Sequence, residues 1–180
     1  MVELMVVIAI LGITAAVAIS GFRANPTGSD ARKVASMMAT AYRTAVEGGA
    51  MTANISKACF SSTKPRAMLE FGTGGLNVVT VYKLIEHTAD TGYDQVPVSA
   101  AALSTDVLVY AITNFAVSQE QPGATPTQTS LATPVTKYYC PDGSADGFTV
   151  YLRHATNDNA TRYRVVGMPL SPAPQTFQDW

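Results

Sequence analysis

Charge is scarce in this chain of 180 residues: 14% of them are charged and the formal net charge is -1. That near-neutrality argues against a general electrostatic grip on nucleic acid, leaving only a local group such as Arg153, Arg162 and Arg164. Histidine is limited to His87 and His154, and nothing in their surroundings marks a metal site. Ser61, Ser62 and Cys59 lack any readable nucleophile-and-base pattern, so no enzyme is expected. The two cysteines, Cys59 and Cys140, form neither a CxxC motif nor part of a ligand cluster. They read either as a bridge in an exported chain or as two buried free thiols. No Lys or Arg precedes the hydrophobic start, and Ala18-Ile19-Ser20-Gly21-Phe22 is a poor cleavage signal, so a cleaved secretory leader fits badly.

What the chain does have is an apolar beginning. Leu4 to Ile19 carries no charge and is interrupted only by Gly12 and Thr14, with Glu3 at its edge. As a helix it would extend about 24 Å, slightly short of an ordinary membrane span. An acid at that end is costly in lipid and usually signals a partner or an interface.

Beyond it, Gly21, Asn25, Pro26, Gly28 and Ser29 form a zone expected to loosen or kink a helix. Asp30 is then a candidate cap for a helix over about 30–47. Val34, Met37, Met38, Ala41, Ala45 and Val46 supply its apolar stripe, with Arg32, Lys33, Arg43 and Glu47 outside it. Gly48-Gly49 is a plausible stop.

The period then changes. Leu76–Ile85, Val107–Val117, Phe148–Leu152 and Tyr163–Met168 are rich in β-branched and aromatic residues and read as strands. Val135–Tyr139 adds an edge strand, and Ala155–Ala160 a hairpin turn. The expected class is α+β: a long N-terminal helix packed on a mainly antiparallel sheet of about four or five strands. Segments 119–134 and 169–178 read as exposed loops or tails. Trp180 either tucks into the domain or stays exposed. In the acidic turn Asp142-Gly143-Ser144-Ala145-Asp146-Gly147, the carboxylates of Asp142 and Asp146 are a calcium candidate, beside the plain reading of a Gly-rich turn.

Glu3 to Ile19, ELMVVIAILGITAAVAI, closely resembles the N-terminal assembly helix of type IV pilins and type II secretion pseudopilins. The match joins an acid, a Val/Ile/Leu run and Gly12 at the family's relative spacing. It implies two regions: 1–20, a hydrophobic membrane and filament-core helix, and 21–180, a globular head. It also implies that a basic leader and two mature residues precede Met1, because the family glutamate lies fifth in the mature chain. Ser20 stands where many relatives carry a kinking proline.

By that resemblance the chain is expected to be a structural subunit of a type IV pilus, a homo-oligomer in a helical filament. Glu3 would set register by meeting a neighbour's amine. Leu4, Val7, Ile8 and Leu11 would supply apolar burial, and Gly12 would allow close helix approach. The implied partners are a prepilin peptidase, an inner-membrane assembly machinery, and minor pilins or a surface receptor. The implied location is the inner membrane with a periplasmic head, then an extracellular pilus. The alternatives are a type II secretion pseudopilin or a membrane-tethered periplasmic binding or adhesion module.

Overall fold

The computed structural model describes residues 25–49, 53, 55–57, 59–60, 63–72, 77–87, 92–114, 126–127, 129 and 133–180. Residues 1–20, with Glu3, Leu4, Val7, Ile8, Leu11 and Gly12, lie outside them. The described chain opens with a helix, α1, over Pro26–Glu47. Asn25 caps it, its side chain accepting a hydrogen bond from the Gly28 amide at 3.2 Å. Pro26 suits the first turn because its missing N–H would have no partner there. The expected cap, Asp30, instead sits inside the helix and is buried.

Ala31, Val34, Met37, Met38, Ala41 and Ala45 are buried along one face of α1, as their spacing by three and four requires. Val46 departs from the expected stripe and is 44% exposed. Asp30, Arg32, Lys33, Arg43 and Glu47 are spread over the same helix. Among the described residues no helix is long and apolar enough to cross a membrane. For the described residues this corrects the expectation of a transmembrane helix and of the inner-membrane location that rests on it: α1 carries too many charges to sit in hydrocarbon, and the segment expected to span, residues 1–20, lies outside those described.

Among the described residues eight strands follow: β1 (Ala67–Phe71), β2 (Val78–Glu86), β3 (Tyr93–Ala102), β4 (Val107–Thr113), β5 (Val135–Tyr139), β6 (Phe148–His154), β7 (Tyr163–Gly167) and β8 (Gln175–Gln178). They form two four-stranded sheets, ordered β3-β2-β1-β5 and β4-β6-β7-β8, and the strand pairings are antiparallel. The class is α+β, with one long helix packed extensively against antiparallel strands, as in a pilin-like architecture in general. Both sheets contact α1, and they share one core. Leu69, Phe71, Val79 and Val81 of the first sheet meet Val107, Val109, Phe148, Val150, Leu152 and Val165 of the second around the helix stripe.

The extra strands divide what was expected as a single sheet of four or five. The segment 169–178, expected as a tail, contains β8, which pairs with β7. Trp180 tucks in: its ring lies 5.2 Å from that of Tyr110 and 5.1 Å from that of Tyr151. On the outer side of the first sheet a smaller cluster forms from Ala53, Ile55, Met68 and Leu84.

Candidate functional site

The segment after α1 is tied to the end of β5 by a disulfide between Cys59 and Cys140, which are 81 residues apart in sequence with Cα atoms 5.9 Å apart. The bridged reading of the two cysteines is therefore the one found. Beyond Cys140 the chain turns tightly. The Cys140 amide donates to the Ser144 carbonyl at 2.8 Å, and the Gly143 amide to the Cys140 carbonyl at 3.1 Å. Gly143 adopts φ +79°, and a Cβ there would lie 2.9 Å from the Tyr42 hydroxyl. The left-handed backbone favours glycine at this corner, and the Tyr42 side chain of α1 packs against it.

The two acids of this turn have separate surroundings. One Asp142 oxygen accepts from the Ser144 amide at 2.9 Å and from the Ser144 hydroxyl at 2.6 Å. Asp146 faces the other way. Its Oδ1 pairs with Lys57 Nζ at 2.5 Å, and its Oδ2 accepts from the Tyr138 amide at 2.9 Å. Asp142 instead groups with the cysteines: one of its oxygens and the two sulfurs lie within 4.8 Å of one another. That cluster could hold a metal ion, but sulfur with a single carboxylate is not the oxygen set that calcium prefers. While the sulfurs are bonded to each other neither is a thiolate, the form that binds metal.

Two shallow clefts flank Asp146. The first, about 370 Å³, is bounded by the disulfide, Phe60, Tyr138, Pro169 and Leu170. Phe60 is 95% exposed and Leu170 74%. The second, also about 370 Å³, is polar and lined by Lys57, Asn114, Thr136, Lys137, Asp146 and Gly147. Lys137 is buried there, and burial pushes its ammonium pKa below the usual lysine value; Asp146 opposes that shift and Lys57 adds to it. Its neighbour Tyr139 is buried with no hydrogen-bond partner on its hydroxyl among the described residues. Burial, then the charge of Asp146, pushes the Tyr139 pKa far up.

The histidines are engaged locally. His87 Nε2 lies 3.0 Å from Asp94, and His154 Nδ1 accepts from the amides of Thr156 and Asn157 at 3.3 and 3.1 Å. The arginines named above do share a region, each over an aromatic ring. Arg153 stacks on Tyr110, Arg162 on Trp180 and Arg164 on Phe177, at 4.7, 5.2 and 5.0 Å. Those ring faces are thus already occupied within the fold.

Lys137 escaped the sequence reading, although a signal was present. In the strand Val135-Thr136-Lys137-Tyr138-Tyr139, period-2 alternation puts Lys137 on the same face as buried Tyr139. No family model, curated protein or solved structure matches this chain.

Proposed function

We propose that the chain is a structural, non-enzymatic subunit that polymerises non-covalently into a helical filament of the type IV pilin kind. The observation that carries this reading is the arrangement of apolar surface along the chain. The stripe of α1 is covered by the chain's own two sheets, whereas Leu4–Ile19 adds a second, longer apolar run in sequence. Sister copies of that run are its proposed cover. Each buried Leu or Ile side chain contributes about 1.5–3 kcal/mol before ordering costs, so packing of such runs supplies bulk cohesion. Glu3 supplies register by meeting an amine of the neighbouring subunit. Leaving one member of a buried ion pair without its partner costs about 3–5 kcal/mol. A prepilin peptidase and an assembly machinery would process and polymerise the subunit.

Cryo-electron microscopy of the native assembly tests this reading. The expected result is a helical filament with the N-terminal segments in its core and Glu3 beside an amine. Glu3→Ala should abolish filaments while the disulfide-bonded head still folds. Recovery of the chain only as a monomer, with its processing and assembly partners present, would overturn the proposal. Filaments belonging to a secretion apparatus would assign it to the pseudopilin alternative.

A further inference from the structure

Lys137 projects from the inward face of β5, opposite Leu69 of β1, and is 5% exposed. Its Nζ lies 5.4 Å from the centre of the Phe148 ring. A buried ammonium ordinarily meets a carboxylate, but among the described residues no carboxylate is in ion-pair contact with Lys137. Its polar contact is instead the side-chain carbonyl of Asn114, with Nζ and Oδ1 2.6 Å apart. Asn114 directly follows β4, the outer strand of the second sheet, and β5 is the outer strand of the first. The contact therefore spans two sheets that share no backbone ladder.

We propose that Lys137 and Asn114 become joined by an intramolecular amide bond. The neutral Nζ attacks Cγ of Asn114, forming an Nζ–Cγ bond as the Cγ–Nδ2 bond breaks. One amine proton passes to the departing nitrogen, which leaves as ammonia. An amine and a primary amide thus become a secondary amide and ammonia, with no oxidation or reduction and no co-reactant.

Three features of the cleft favour this step. Burial disfavours the charged ammonium and so raises the share of nucleophilic amine. Asp146 is the carboxylate among the lining residues, held by Lys57 and the Tyr138 amide beyond ion-pair distance of Lys137, and can relay the proton between the two nitrogens through a water in the cleft. Asn114 is exposed on its outer side, which gives ammonia a way out. The product would tie the outer strands of the two sheets together, a covalent brace independent of the disulfide.

Intact-mass spectrometry of the full, folded and oxidised chain tests the proposal. The expected mass is that of the sequence less the two hydrogens of the disulfide and less one ammonia. Proteolysis should release a branched peptide joining the segments around positions 114 and 137. Lys137→Arg keeps a cation in the cleft but should restore the ammonia. Should that variant fail to fold, Asn114→Ala, at an exposed position, should do the same. A folded wild-type chain lacking only the two disulfide hydrogens would overturn the proposal. So would an ammonia loss that persists in Lys137→Arg, because that marks a cyclic imide at Asn114.

Discussion

The carboxylate of Asp30, in the first turns of α1, accepts a hydrogen bond from the backbone amide of Ser104 at 2.6 Å. Its other oxygen pairs with Lys33 at 2.7 Å, and Lys33 in turn donates to the Ala102 carbonyl at 3.1 Å. Ala102 and Ser104 bracket the point where the chain leaves the first sheet for the second. One helical turn thus clamps the crossover between the sheets, and Asn77 grips it from the other side through the Ser104 and Val107 carbonyls.

Asp30→Ala should therefore destabilise the fold. It leaves the Ser104 amide without its acceptor, and Asp30 is only 1% exposed, so water has little room to replace the carboxylate. A loss of about 2 kcal/mol is expected, from the cost of an unsatisfied buried group. Urea titration followed by far-ultraviolet circular dichroism measures it. Asp30→Asn, which retains an acceptor, should lose less.

That clamp illustrates what the sequence could and could not convey. Asp30 looked like a cap because it precedes the apolar stripe, but Asn25-Pro26 is the stronger start and sets the helix one turn earlier. The stripe itself and β2, β4, β5, β6 and β7 were legible from periodicity and β-branched content. The strand β1 was not, since Ala-Met-Leu-Glu-Phe has no β-branched residue and consists largely of good helix formers. β3 hides behind Pro97 and a run of alanines, tolerated because it is an outer strand with a register shift opposite Val81 and Tyr82. β8 is four residues long and two of them are glutamine. At the candidate site the cysteines were visible but their pairing was left open. The separation of Asp142 from Asp146 depends on β5 turning back on itself, which spacing alone does not convey.

Breaking the Cys59–Cys140 bridge should lower stability without removing the fold. The bridge closes a loop over a sequence separation of 81; loop-closure entropy assigns a bridge of that size about 4.5 kcal/mol. Cys59→Ser/Cys140→Ser, compared with the oxidised chain in guanidinium titrations, should show a lower midpoint. Hydrogen exchange should rise first in the segment around Ile55 and Cys59, because the helix and the two sheets have their own shared core.

Trp180 is the single tryptophan of the chain, so its fluorescence reports one location. The ring packs against Tyr110 and Tyr151, lies under Arg162, and its Nε1 donates to the Leu152 carbonyl at 3.5 Å. Emission should be blue-shifted in the folded state and move to the red on unfolding, together with the loss of circular dichroism. Aromatic pairs contribute about 0.5–1.5 kcal/mol each beyond their buried area. Trp180→Ala should thus cost about 2 kcal/mol and loosen β8, detected as faster amide exchange over Gln175–Gln178.

Tyr139 gives the fold a defined alkaline weakness. Its phenol is buried and its ionisation is suppressed by burial and by the negative charge of Asp146. In the unfolded chain the phenol ionises near the ordinary tyrosine value of 10.0. The folded pKa is thus raised above the unfolded one, so the folded state keeps a proton that the unfolded state gives up. Stability is unaffected by this group below about pH 10 and falls progressively as pH rises above it. Tyr139→Phe removes the titration and should flatten the decline measured by urea titrations between neutral and strongly alkaline pH. Because the hydroxyl has no hydrogen-bond partner among the described residues, the same substitution should leave stability at pH 7 unchanged or raise it by about 1 kcal/mol. A loss of stability at neutral pH in Tyr139→Phe would show that the hydroxyl has a partner, and the alkaline weakness would then need another source.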